Sequence, residues 1–285
     1  MAATLNIAAL ARRTGVPADT IRKWEQRYGV LHPDRTSGGQ RRYSDEDVAR
    51  IEWLKARLAD GYRIGEAAAL LGDATRAAPS STKELQTALV AAVGRGDLPT
   101  LIGLVEQTLA LNQLEDALAD VLAPVLTAVG EGWEAGEITV AQEHLASTVV
   151  RAHLERLLAD PRADIRGRAV LACAPGERHE LGLLMLAVLL RADGWQVVYL
   201  GADTPTGDAI ALAEKAGARL LCVSATMTES AERTGRDLAH HAVPDGLEVV
   251  LGGPAVTRET ATGAGARYVS ADLRRGIGAL RKLSR

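Results

Sequence analysis

The sequence predicts a multidomain chain, helical in its first half and α/β in its second, on three observations. The first 43 residues contain two short helical patterns and a glycine hairpin, and residues 82–159 contain four helical patterns in succession. From residue 168 onward, apolar strand-like runs alternate with helical runs. Four helices with short loops favour an antiparallel bundle, and alternating strands and helices favour a parallel sheet covered on both faces. We therefore predict domains over residues 1–75, 80–160 and 165–285.

The composition is that of an ordinary globular chain, with 47% hydrophobic and 24% charged residues among 285. There is no basic and apolar leader and no unbroken apolar run of about 18 residues. We expect a soluble, cytoplasmic protein. The two cysteines, Cys173 and Cys222, both lie inside apolar runs, so we expect buried, reduced thiols.

The charge is distributed unevenly. Residues 1–43 carry eight Lys and Arg against three acidic residues, a net charge of +5, so the rest of the chain carries -8 of the total of -3. A basic head on an acidic body indicates a polyanionic partner for the head alone.

The basic head has the pattern of two short helices joined by a turn. The first runs from Asn6 to Arg13 and stops at Thr14-Gly15, and Pro17 suits the first turn of the second. Ile21, Trp24 and Tyr28 then form one buried stripe, opposite a basic face. This arrangement is typical of a helix-turn-helix.

A basic hairpin and a capped helix follow. Gly38-Gly39 favours a tight turn flanked by arginines, which predicts a wing that contacts phosphate. Ser44-x-x-Asp47 predicts the start of a helix that ends at Gly61.

The order IRKWEQRYG…RTSGGQRRYSDEDV closely resembles the winged helix-turn-helix of MerR-type transcription factors. The resemblance implies binding of double-stranded operator DNA, usually an inverted repeat read by a dimer, and a nucleoid-associated location. By position, the groove-facing residues would be Thr20, Arg22, Lys23, Gln26 and Arg27, and the backbone contacts Arg35, Gln40, Arg41 and Arg42. Tyr28 and Tyr43 are further phosphate candidates, although Tyr28 fits the buried stripe as well.

The middle of the chain begins with a linker, residues 72–82, which is small, polar and contains proline. The predicted helices are 82–94, 98–111, 114–134 and 139–159, and Pro124 is expected to kink the third. Trp133 lies among glycines and charges rather than on an apolar stripe, with Glu143 and His144 in the following helix. Two interpretations stay open here: a tryptophan that closes the bundle end beside a solvated pair, or a binding surface.

The C-terminal half predicts five parallel strands at 168–173, 196–200, 220–224, 248–252 and 267–270, in a flavodoxin-like or Rossmann-like domain. Such sheets bind ligands at the carboxyl ends of their strands. Polar or glycine-rich segments follow four of the strands, and the candidates in them are Glu177, His179, Gly182, Asp203, Ser224, Thr226, Gly252 and Gly253. Each could also be an independent helix cap.

The segment GERHELG after the first strand fits none of three common catalytic motifs. A zinc hydrolase helix would need a second histidine at position 183, which is Leu183, and neither a nucleophile elbow nor a G-x-G-x-x-G fingerprint is present. What remains is one imidazole with a carboxylate two residues before it. That pair suits a single axial metal bond, in which Glu177 orients His179.

Glu177-x-His179-x-x-Gly182, with Ser224 and Gly252-Gly253, resembles the cobalamin-binding signature. In that family, the motif histidine coordinates cobalt from below while the nucleotide tail enters the α/β domain. The resemblance implies that His179 is the lower axial ligand, that Glu177 orients it, and that Ser224 and the two glycines contact or line the tail.

Trp133, nine intervening residues and Glu143-His144 are similar to the pattern of CarH/LitR-type photoreceptors. The resemblance implies that these residues cover the upper face of adenosylcobalamin. In the light-sensing members, a histidine directly follows the tryptophan and captures cobalt once the adenosyl group has left. Here that position is Glu134, so whether a stable photoproduct forms is left open by the sequence.

We therefore expect a light-responsive, adenosylcobalamin-dependent repressor, not an enzyme, that binds operator DNA as a homo-oligomer, a tetramer with the cofactor and a smaller species after light. A light-independent cobalamin sensor, a corrinoid methyl carrier and a regulator that responds to another small molecule are the alternatives. The basic head argues against the methyl carrier.

Overall fold

The computed structural model describes residues 5–31, 33–35, 38–59, 61–68, 71, 81–159 and 166–283. The chain forms two compact units, one comprising Met1–Leu85 with Gln107–Asn112, and the other Gln86–Glu106 with Gln113–Arg285. The predicted linker over 72–82 lies outside the described residues up to position 80. No helix in the described ranges is long and apolar enough to cross a membrane.

The N-terminal unit contains the two predicted helices, α1 (Ile7–Thr14) and α2 (Ala18–Tyr28). The Asn6 side chain caps α1 by accepting a hydrogen bond from the Ala9 amide at 2.9 Å. Gly15 ends α1 at φ 69°, a left-handed conformation in which a side chain would be strained. The turn between α1 and α2 is therefore set by local chemistry.

The wing is an antiparallel hairpin of β1 (Asp34–Arg35) and β2 (Arg41–Arg42), in which Asp34 pairs with Arg42. Helix α3 (Asp45–Ala59) follows. Its capping box is reciprocal, because the Ser44 amide donates to Asp47 Oδ2 at 2.8 Å and the Asp47 amide donates to Ser44 Oγ at 3.2 Å. Residues 64–68 are helical as well.

The core of this unit is the one that the apolar stripes predict. Leu10, Ile21, Ile51 and Leu54 are fully buried within it, and Trp24 is almost so. Helix, turn and wing therefore pack around one apolar cluster, which leaves the basic side chains outside it.

The four predicted bundle segments are helical with nearly the predicted bounds. They are α4 (Thr82–Gly94), α5 (Leu98–Leu111), a third segment made of α6 (Leu114–Asp116), a π-helical stretch (Ala117–Leu122) and α7 (Ala123–Glu134), and α8 (Val140–Ala159).

The predicted kink at Pro124 takes the form of the π-helical stretch that ends two residues before it. Proline has no amide hydrogen, so the Asp120 carbonyl has no donor four residues later. The Gln86 side-chain amide donates to that carbonyl instead, at 2.7 Å. Pro124 therefore accounts for the wider π turn, and Gln86 of the neighbouring helix α4 provides the missing hydrogen bond to the Asp120 carbonyl oxygen.

The α/β domain is a five-stranded parallel sheet, which confirms the predicted class. The strands are β3 (Arg168–Cys173), β4 (Gln196–Gly201), β5 (Leu220–Ser224), β6 (Glu248–Gly252) and β7 (Arg267–Val269), in the order β4-β3-β5-β6-β7. The helices are α9 (Leu181–Ala192), α10 (Thr206–Lys215), α11 (Thr228–His240), α12 (Arg258–Gly263) and α13 (Leu273–Leu283). This is the flavodoxin-like strand order, in which β3 and β5 flank the point where the winding reverses.

The two cysteines are buried and free, as predicted. Cys173 ends β3 and Cys222 lies in β5. Burial raises the pKa of both thiols to about 12, so they remain protonated at neutral pH.

The bundle and the sheet domain are joined by ion pairs from α13. Arg274 contacts Asp116 at 2.8 Å and Asp120 at 2.6 Å, and Arg281 contacts Glu115 at 2.8 Å and Asp193 at 2.7 Å. Hydrogen bonds to Asp193 and Glu115 raise the pKa of Arg281 above its ordinary value. The contacts to Glu115, Asp116 and Asp120 attach α6 and the π-helical stretch to the last helix of the chain, whereas Asp193 follows α9 in the sheet domain itself.

His153 on α8 is a buried titratable group in the bundle. Its Nδ1 lies 2.8 Å from the Val149 carbonyl oxygen, and its Nε2 lies 3.9 Å from Glu106 Oε1. The interaction with Glu106 raises the pKa of His153, although burial lowers it.

We expect the stability that His153 contributes to be fully present below a pH of about 6.5, and to be lost as the pH rises through the higher pKa of the folded state. His153→Gln should therefore lower the free energy of unfolding more at about pH 5.5 than at about pH 8.5. Denaturant titration of the wild type and the variant at both pH values measures this. His240→Gln, at an exposed position, is the control for removal of an imidazole elsewhere in the chain; an equal loss for His153→Gln at both pH values would contradict the prediction.

Candidate functional site

The basic face of α2 is exposed, as the sequence predicts. Arg22, Lys23, Gln26 and Arg27 are exposed, and Thr20 is half-buried. Arg22 pairs with Asp19 at 2.9 Å on the same face. These side chains are positioned to meet a polyanion, because the opposite stripe of α2 is buried in the core.

The wing carries a second group of predicted contacts. Gln40 and Arg41 are exposed, Arg42 is half-buried, and Arg35 pairs with Arg41 across the hairpin. Arg41 Nε lies 2.7 Å from Glu25 Oε1, which joins the wing to α2. This ion pair fixes the wing's basic strand relative to the exposed face of α2.

The structure contradicts the prediction that Tyr43 contacts phosphate. The side chain is fully buried, and its hydroxyl donates to Glu25 Oε2 at 2.9 Å. Burial and this hydrogen bond raise its pKa. Tyr28 is half-buried against the same core, with the Arg27 guanidinium 5.5 Å from its ring centre, which agrees with the prediction that Tyr28 belongs to the buried stripe.

The second candidate site lies at the carboxyl edge of the sheet and is organised by Glu177, which is fully buried. Its Oε1 accepts hydrogen bonds from the His179 amide at 2.9 Å and from His179 Nδ1 at 2.6 Å. Its Oε2 accepts from the amides of Thr226 at 2.6 Å and Met227 at 2.9 Å. One carboxylate therefore joins the loop after β3 to the loop after β5.

The charge of Glu177 is stabilised by these donors. Burial by itself would raise the pKa of this carboxyl group, but the hydrogen bonds from His179, Thr226 and Met227 outweigh it and the net pKa is lowered. Glu177 is therefore ionised at neutral pH, and can act as an acceptor towards the imidazole.

The His179 ring is held through one nitrogen and exposed at the other. Nδ1 faces the Glu177 carboxylate, and the side chain is 64% exposed. A carboxylate accepts and cannot donate, so Nδ1 carries the hydrogen and the lone pair lies on Nε2. The geometry therefore presents an imidazole nitrogen that is ready to coordinate a metal from this edge of the sheet.

Asp203, after β4, belongs to the same cluster. Its carboxylate accepts from the Gly176 amide at 2.7 Å, and its own amide donates to the Glu177 carbonyl at 2.9 Å. Asp203 has φ 48°, an uncommon value outside glycine. The structure therefore brings the loops after β3, β4 and β5 together around one buried carboxylate.

The glycines predicted to line the site have different neighbours. A Cβ at Gly253 would lie 2.3 Å from the Ala225 carbonyl oxygen, and one at Gly252 would lie 3.0 Å from the Val269 carbonyl oxygen. Close backbone packing therefore already requires glycine at position 253 and favours it at position 252. By contrast, a Cβ at Gly182, in the exposed first turn of α9, would meet nothing within 4 Å.

Ser224 and Thr226 are half-buried at the end of β5. The Ser224 carbonyl accepts from the Ala174 amide at 2.8 Å, and Thr226 contributes its amide to Glu177. Their hydroxyl groups stay predicted ligand contacts. Sequence reasoning did not find the contact of Met227 with Glu177, because that contact is made by a backbone amide, which nearly every residue type offers.

The remaining candidates lie on the bundle. Trp133, near the end of α7, is 46% exposed, and Glu134 is exposed beside it. The turn that follows is closed by the Gly132 carbonyl, which accepts from the amides of Glu137 and Ile138 at 2.8 and 3.0 Å. Nearly half of the Trp133 side chain is therefore accessible, as the binding-surface interpretation requires.

Glu143 and His144 lie in the first turns of α8. Ser147 Oγ donates to Glu143 Oε1, and His144 Nε2 lies 3.6 Å from Glu143 Oε2. The Glu143 side chain is half-buried while His144 is 73% exposed. Ser147 was not predicted, although its position four residues after Glu143 on a helix was available from the sequence.

No hydrogen bond among the described residues joins Trp133, Glu143 or His144 directly to the cluster around Glu177. Arg151, on the same helix as Glu143 and His144, pairs instead with Glu180, the residue that follows His179. Sequence reasoning missed both residues, because Glu180 and Arg151 read as ordinary surface charges.

Three family models match the chain in succession. Residues 5–73 match the MerR HTH family regulatory protein model, and residues 85–158 and 167–275 match two B12 binding domain models. These ranges contain the basic head, the bundle and the parallel sheet.

Among curated proteins, the chain is 38% identical to the HTH-type transcriptional repressor CarH of Myxococcus xanthus over 268 residues, which are 88% of this chain and 89% of that protein. It is 34% identical to the HTH-type transcriptional repressor CarA of the same organism, over 71% of this chain and 69% of that protein.

Among solved structures, the monomethylamine corrinoid protein of Methanosarcina barkeri superposes with a TM-score of 0.59 at 22% identity, covering 71% of this chain and all of that one. That likeness concerns the fold alone. The identity to CarH extends over nearly the whole of both proteins, and the chain therefore belongs to the CarH family of helix-turn-helix regulators with B12 binding domains.

Proposed function

We propose that this protein is an adenosylcobalamin-dependent, light-responsive transcriptional repressor. The observation that carries the proposal is the His179 imidazole, held at Nδ1 by the buried Glu177 carboxylate and open at Nε2. A basic helix-turn-helix in the same chain supplies the output, which is binding of double-stranded operator DNA.

The residues at the sheet edge fit a corrinoid. His179 would be the lower axial ligand, because its tautomer places the free lone pair on the exposed nitrogen. Gly182 leaves open space three residues later that a side chain would occupy. Ser224, Thr226, Gly252 and Gly253 would contact or line the nucleotide tail, and Asp203 would keep the loop after β4 in place.

The bundle residues fit the opposite wall of the same site. Trp133 is an exposed aromatic that can stack on an adenine ring, and Glu143 is a half-buried acceptor for ribose hydroxyls. His144 would support Glu143 from the same helix turn. Adenosylcobalamin supplies a cobalt–carbon bond that light breaks.

Repression would depend on a difference in cofactor affinity between two assembly states of the protein. A ligand shifts an equilibrium only as far as its affinities for the two states differ. Contacts from the bundle to the upper group favour one arrangement of the protein, and we propose that this arrangement is a homotetramer that binds several operator half-sites. Loss of the upper group removes the contacts to Trp133 and Glu143, and the assembly and its DNA affinity weaken.

A light-independent cobalamin sensor is the second candidate, and Glu134 favours it. This exposed carboxylate stands where light-sensing relatives are expected to have a histidine, and a carboxylate is a poorer ligand for cobalt(III) than an imidazole. The DNA-binding output would be the same, with cofactor supply instead of light as the signal.

Illumination of the loaded protein separates the two candidates. With adenosylcobalamin in the dark, we expect the large oligomer by size-exclusion chromatography and a retarded operator band in a mobility assay. After green light, both should be lost. If neither changes with light while the cofactor still promotes DNA binding, the light-independent sensor is the correct function.

Replacing the lower ligand should change the bound cofactor directly. His179→Ala is expected to alter the absorption spectrum of bound cobalamin and to weaken binding by at least about tenfold. His240→Ala, at an exposed position on α11, is the matched control and should leave the spectrum unchanged. An unaltered spectrum in the His179 variant would remove His179 from the cobalt.

Trp133→Ala tests the upper wall. We expect the variant to bind hydroxocobalamin as the wild type does, and adenosylcobalamin about tenfold more weakly, because stacking on the adenine is lost. Binding titrations with both forms measure the ratio. Leu98→Ala removes another exposed apolar side chain of the bundle and should leave the ratio unchanged; an unchanged ratio for Trp133→Ala would place Trp133 outside the site.

A further inference from the structure

Helix α8, which carries Glu143 and His144, packs against α9, the helix that begins two residues after His179. The two walls of the proposed site therefore share a helix–helix contact. The polar part of this contact is the ion pair between Arg151 Nη1 of α8 and Glu180 Oε1, whose side chains are 35% and 14% exposed.

Glu180 is fixed on the sheet side by Tyr199 of β4. The Tyr199 hydroxyl donates to Glu180 Oε2 at 3.0 Å and lies 3.2 Å from the Glu180 carbonyl oxygen. A Cβ at Gly201 would lie 2.9 Å from Glu180 Oε2, so the absence of a side chain there leaves room for the carboxylate. Glu180 thus has a defined position, held by the strand beneath it and unlike that of a mobile surface charge.

Arg151 is aligned with the proposed upper-face residues. Glu143, Ser147 and Arg151 are spaced four residues apart, so they lie on one face of α8. Ser147 Oγ donates to Glu143. Arg151, about two helical turns after Glu143, contacts Glu180. One helix face therefore runs from the proposed adenosyl contact to the loop that carries His179.

We propose that Arg151 and Glu180 are positioning residues, which hold the bundle wall in register with the His179 loop and so set the preference for a cobalamin with a bulky upper group. The proposal rests on the function proposed above. A cobalamin with a small upper ligand makes few contacts with the bundle, so its affinity depends little on where α8 lies. A cobalamin that contacts both walls loses affinity when α8 is no longer fixed.

The test is a double-mutant cycle of Arg151→Gln and Glu180→Gln. Each single variant is expected to weaken binding of adenosylcobalamin about fivefold in the dark, and to change binding of hydroxocobalamin by less than about twofold. The double variant should bind adenosylcobalamin no more weakly than the single variant with the lower affinity, because each substitution removes the same interaction. Arg151→Lys, which keeps the charge, should lie closer to the wild type than Arg151→Gln.

Arg267→Gln is the matched control, because it removes an arginine from another ion pair, 2.6 Å from Glu248 on the β6–β7 side of the sheet. It should leave both affinities unchanged. Equal and additive losses for the two cobalamins in the Arg151 and Glu180 variants would overturn the proposal, since a purely structural role predicts that pattern.

Hydrogen exchange of the cofactor-free protein provides a second readout. Arg151→Gln should speed exchange in the peptide over residues 177–190, and Arg267→Gln should not. If the wild type binds no cobalamin, the proposed function fails while the exchange result still decides whether Arg151 positions the loop. Unchanged exchange in Arg151→Gln would overturn the positioning role irrespective of cofactor binding.

Discussion

The arrangement of the sheet edge depends on one buried carboxylate. Glu177 accepts four hydrogen bonds, two from His179 and two from backbone amides that follow β5. An unpaired buried charge would be costly, so the donors must be in place for the loop to fold as it does. The three amide bonds hold the carboxylate in place, and the bond from His179 Nδ1 determines the tautomer and direction of the imidazole. Folding of the domain is thereby linked to the chemistry proposed for His179.

Among the described residues, ion pairs connect the bundle and the sheet domain at two separate places. Arg274 and Arg281 pair with acidic residues around the π-helical stretch, and Arg151 pairs with Glu180 beside His179. Contacts of this kind are geometrically specific and individually modest, which suits two domains whose relative position a ligand can bias. Of these ion pairs, the one between Arg151 and Glu180 lies next to His179.

Much of the fold was predictable because its signals are local. The strands of the α/β domain start at the predicted residues because they are short apolar runs between glycine and polar turns, as in Leu220–Ser224. Pro124 predicted an irregular helix, but its π form depends on Gln86, which supplies a donor from another helix. Tyr43 was a phosphate candidate by the resemblance to the MerR-type domain, whereas its ring is buried in the core and its hydroxyl donates to Glu25.

The sequence by itself determined the order of the three modules, the basic exposed face of α2 and the pairing of Glu177 with His179, since each depends on residue type and spacing along the chain. Only the tertiary structure decided which groups complete the site. The amides of Thr226 and Met227 lie 49 and 50 residues from Glu177, and Arg151 reaches Glu180 across a helix–helix contact. Every residue but proline offers an amide, and charged side chains are common on surfaces, so neither has a pattern that a sequence can display; folding makes them specific by bringing them next to one buried carboxylate and one loop.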